Sequence, residues 1–126
     1  MVKQVRVLVA NRPKLMRELI LETLGDQPGI EIVGEVSDEN EIPARVEQTS
    51  PDLLVIALDE AGKRPSICET VLREHPELRI IAVASEQNRS VYYWASLDIH
   101  SNDIENSEEG FLTAVRSVTE TLGSAT

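Results

Sequence analysis

The residues able to do chemistry stand at the ends of short apolar runs. Asn11, Arg12, Pro13 and Lys14 follow the run Val5–Ala10, and Asp59 follows the run Asp52–Leu58. A carboxylate such as Asp59 can act as a nucleophile or a metal ligand, whereas Asn11 is a weak neutral ligand and Arg12 a fixed cation. Arg12 can pair with Asp59 or, together with Lys14, attract a small anion. No Gly-rich phosphate loop follows the first run, so nucleotide or flavin binding through such a device is not expected. Asp98, His100 and Ser101 carry the residue types of a hydrolytic triad. Neighbours in a strand alternate faces, however, and no nucleophile elbow accompanies them, so they read as a solvated strand end. His75 before Pro76 reads as a surface residue near a helix C-terminus. Cys68 lacks a CxxC partner and reads as a half-buried structural thiol. No His/Cys spacing suggests zinc, and no metal or cofactor is expected. Asn88-Arg89-Ser90 is a glycosylation sequon, which has meaning only in a secreted chain.

The elements that position these residues follow from the hydropathy pattern. The runs Val5–Ala10, Asp52–Leu58 and Leu78–Ala84 are nearly continuous in apolar residues, as strands buried on both faces are. Ile30–Val36 alternates more, as an edge strand does, and Leu97–Ile99 is a weaker fifth strand. Between them the spacing predicts helices. Leu15, Met16, Leu19, Ile20 and Leu24 form one stripe behind Pro13 and ahead of Gly25. Asp38 can cap a short helix carrying Ile42 and Val46, with Pro43 in its first turn. Pro65 opens a helix that buries Ile67, Val71 and Leu72 and ends before Pro76. Gln87–Ala95 reads as a short fourth helix. Ser107 caps the last one, in which Phe111, Val115, Val118 and Leu122 repeat at helical spacing. The chain therefore reads as one α/β domain, 1–126 with its core at about 4–122. Its expected architecture is a five-stranded parallel sheet in the order 2-1-3-4-5, flanked by helices on both faces. Ligands in that architecture bind beyond the C-terminal strand ends, after Ala10, Leu58 and Ala84.

Composition removes several functions. With 12 basic and 22 acidic side chains among 126 residues, the net charge of −10 argues against nucleic-acid or anionic-membrane surfaces. No apolar run reaches the ~20 residues of a membrane span. The N-terminus lacks signal-peptide features, and the single cysteine fits a reducing cytosol, so a cytoplasmic location is expected. The acidic runs Ser37–Glu41 and Asp103–Glu109 read as solvated loops and helix starts.

The segments VRVLVANRPKLMRELI, EIVGEV, PDLLVIALDE, PELRIIAVAS and EEGFLTAVRSV, in this order and spacing, resemble the receiver domain of bacterial response regulators. The likeness is greatest to receivers that precede helix-turn-helix transcription factors, and it covers roughly Gln4 to Leu122. It implies a two-component signalling module. A working receiver needs two acids after strand 1 to hold Mg²⁺, an aspartate ending strand 3, a Thr or Ser after strand 4 and a Lys after strand 5. Phosphoryl transfer to a carboxylate gathers negative charge that the metal and the lysine must neutralise. Here those positions align with Asn11 and Arg12, with Ala57 and with Ala84, a one-residue slip offering Ser85. No lysine follows Lys63. The expected function is thus a pseudo-receiver, a non-enzymatic module that works by binding another protein without phosphorylation control. Asp59 is the fallback acceptor of an atypical phosphorelay protein, and an anionic ligand near Arg12 is a third reading. No DNA-binding output is expected from the chain as it stands.

Three of the four aromatic residues are consecutive: Tyr92, Tyr93 and Trp94. The family resemblance implies that the face formed by the fourth helix, fifth strand and fifth helix docks partners or a second copy. On a helix three consecutive positions span about 300° and cannot all face the core. These rings are therefore candidate partner-binding residues; the alternative is two packed inward with the third flat on its own helix.

Overall fold

A computed structural model of the chain describes residues 4–58, 63–84, 89–95 and 99–124. Strand β1 (Val5–Ala10) leads into helix α1 (Lys14–Gly25), β2 (Ile30–Glu35), a 3₁₀ turn (Glu39–Glu41) and α2 (Ile42–Thr49). Then follow β3 (Leu53–Ala57), α3 (Ser66–Glu74), β4 (Arg79–Ala84), β5 (Arg89–Ala95), β6 (Ile99–Ile104) and α4 (Glu108–Ser124). The starts are set by local chemistry. Asp38 Oδ1 accepts from the Asn40 amide at 2.9 Å, and Ser107 Oγ accepts from the Gly110 amide at 3.0 Å. Pro13 and Pro65 occupy the N-cap positions of α1 and α3. Helix α2 ends at Ser50, whose φ of 47° lies in the left-handed region.

The strands form one six-stranded sheet in the order β2-β1-β3-β4-β5-β6. Pairings among β2, β1, β3 and β4 are parallel, while β5 and β6 run antiparallel to their neighbours. Alternate residues of each strand feed two cores. Leu8, Leu54, Ile56 and Ile80 meet Val46, Val71 and Leu72 of α2 and α3. On the other face Val7, Val9, Val55 and Ile81 meet Ile20 and Leu24 of α1 with Val115 and Val118 of α4.

The sheet departs from the expected five parallel strands after β4. The segment expected as a fourth helix is strand β5, hydrogen-bonded to β4 and continued by β6. Val91, Tyr92, Tyr93 and Trp94 are β-branched or aromatic, types that pack well on a pleated surface. A strand also alternates their faces, which a helix cannot do. The start of the expected fifth strand at Leu97 lies outside the described residues; β6 is described from Ile99.

A second departure concerns α1. Leu15 and Leu19 are exposed, whereas Arg17 is 8% exposed. The five-residue apolar stripe is wider than the face the sheet can cover. The inward place falls to Arg17 because its guanidinium finds partners there.

Candidate functional site

The register brings the C-terminal ends of β1, β3 and β4 side by side. Ala10 lies opposite Ile56, and Ala57 lies opposite Val83. The Leu58 amide extends the pairing with a 3.0 Å bond to the Val83 carbonyl. Asn11, Ala57 and Ala84, the positions aligned with receiver function, therefore share this end of the sheet. Asp59 and Ser85 lie outside the described residues.

Asn11 is fully buried at 0% exposure. Its Nδ2 donates to the Ile56 carbonyl at 2.9 Å, tying the end of β1 to β3, while its Oδ1 has no hydrogen-bond partner. Sequence reasoning missed Arg17. Its Nε donates to Glu35 Oε1 at 2.6 Å, and one terminal nitrogen donates to the Asn11 carbonyl at 3.2 Å. The guanidinium thus bonds the turn after β1 and the end of β2 together, a charge-assisted clasp in a half-dry environment. The only sequence trace of it is a charge interrupting an inward stripe, matched by an acid 18 residues later at the end of β2.

Arg12 is exposed, and its guanidinium lies 3.8 Å from Glu39, so the cation already has a carboxylate beside it. Ala57 is half-buried and Ala84 is 4% exposed. Among the described residues, the side chains at this strand end do not suit Mg²⁺, which takes hard oxygen ligands with carboxylates to offset its charge. Asn11 offers one neutral oxygen, Arg12 repels the ion and Ala57 offers no ligand. Among the described residues no group of three His, Cys, Asp or Glu side chains is placed to hold a metal ion.

The aromatic triplet divides across β5. Tyr93 is 5% exposed and belongs to the core beneath α2 and α3. Tyr92 and Trp94 share the opposite face, half-buried, with ring centroids 5.4 Å apart and planes tilted by 53°. Burial raises the Tyr92 hydroxyl pKa, against the opposing pull of Arg79, and burial likewise raises that of Tyr93. The triplet thus lies on a strand and not on a helix, with Tyr93 in one core and Tyr92 and Trp94 on the other face. Cys68 is completely buried, and burial pushes its thiol up to about 12 from 9.0. Such a thiol stays protonated and inert at neutral pH.

Comparison with solved structures finds the signal receiver domain of the response regulator NarL from Mycobacterium tuberculosis. It superposes with a TM-score of 0.56 at 20% identity, covering 68% of this chain and 69% of that one. The fold is receiver-like. Among curated proteins, the protein-glutamate methylesterase/protein-glutamine glutaminase of Hydrogenovibrio crunogenus is 26% identical over 102 residues. The match takes in 79% of this chain but 27% of that enzyme, so the chain spans about a quarter of its length. No family model matches the chain. Among the described residues no helix is long and apolar enough to cross a membrane.

Proposed function

We propose that the chain is a non-enzymatic, phosphorylation-independent receiver-like signalling module that acts in the cytoplasm by binding another protein. One observation carries the reading. Where the receiver pattern has its first metal-binding acid stands Asn11, fully buried, with its amide group bonded to the Ile56 carbonyl. The neighbouring Arg12 and the alanine at position 57 point the same way. A phosphoryl group arriving on a carboxylate needs a divalent cation to offset its charge, and these residues supply a clasp between strands in place of a cradle for that cation. Tyr92 and Trp94 on β5 support a protein-binding role, since half-buried Tyr and Trp are enriched at interface centres. The esterase named for the relative is not carried over, because most of that protein lies outside the matched segment.

The competing reading is an atypical phosphorelay acceptor at Asp59. Thermal unfolding with and without Mg²⁺ and a phosphate analogue such as beryllofluoride separates the two. A module without the switch keeps its midpoint, whereas an acceptor binds both ligands in its folded state and its midpoint rises.

A further inference from the structure

No further inference is drawn: the strongest candidate, the cavity of about 420 Å³ between β5, β6 and α4 that Tyr92, Asp103, Glu105 and Glu109 line, rests on an acidic cluster, and among the described residues nothing shows what would fill it.

Discussion

Replacing Asn11 by Asp puts back a carboxyl at the position where the receiver pattern has one, and the surroundings determine what it does there. Asn11 is fully buried, and its Nδ2 is the donor to the Ile56 carbonyl at 2.9 Å. An ionised carboxyl has no hydrogen to give, so two oxygens would face each other and the Ile56 carbonyl would lose its partner, at about 1–3 kcal/mol. The buried charge adds several kcal/mol, lowered in part by the Arg17 guanidinium bonded to the neighbouring main chain. The cheaper state is the protonated one, whose O–H can donate to Ile56. The new carboxyl should therefore have a folded-state pKa above its unfolded value of about 3.9. A raised pKa means that the folded state holds the proton more tightly. Its contribution is then fully present below the unfolded pKa and is lost as pH rises through the folded one. We predict that Asn11→Asp is destabilised by roughly 2–4 kcal/mol relative to wild type at pH 7, and that the difference shrinks toward zero near pH 4. Urea unfolding of both proteins across that range reads it directly. A pH-independent difference, or recovery of the variant's stability in millimolar Mg²⁺, would falsify the view that this strand end is a structural clasp.

Further predictions rest on the packing around other residues. Tyr93→Ala should cost about 3–5 kcal/mol and Tyr92→Ala roughly 1–2 kcal/mol in urea unfolding, because Tyr93 is core whereas Tyr92 is half-buried, packed at the margin of the other core and against Trp94. Cys68, with its thiol pushed up to about 12 from 9.0, should resist a thiol reagent in the folded chain and react at once in denaturant. Since that folded pKa is raised, stability should be flat below pH 9 and decline as pH climbs from there toward 12. Gly110→Ala should lose roughly 1–3 kcal/mol in thermal unfolding, since a Cβ there would sit 2.3 Å from the Glu105 carbonyl oxygen. Gly25→Ala meets open space and should gain roughly 0.4–1 kcal/mol.

The parts of the fold that were legible in the chain are those in which one local rule acts alone. Continuous Val, Ile and Leu in β1, β3 and β4 report strands covered on both faces, and the Ser107 cap with Phe111, Val115 and Val118 reports α4. β5 is not legible in the same way, because Gln87–Ala95 is short and its pattern fits no single period well. The objection raised by three adjacent aromatics, that a helix cannot bury them all, is itself the signal for a strand. There the alternation sends Tyr93 to one core and leaves Tyr92 and Trp94 on the other face. The stripe on α1 is wider in the sequence than the face it buries, for a different reason. Whether Leu19 or Arg17 turns inward depends on Glu35 and on the Asn11 carbonyl, partners that only the folded sheet brings near. At the candidate site the residue types at positions 11, 12, 57 and 84 were readable directly. The bond from Asn11 to Ile56 was not, because it spans 45 residues of chain.

The most direct measurement is intact-mass spectrometry of the full chain after incubation with acetyl phosphate and Mg²⁺, followed by peptide mapping of the segment that contains Asp59. A switch-free module stays at its unmodified mass throughout. Stable addition of one phosphoryl group at Asp59 would contradict it.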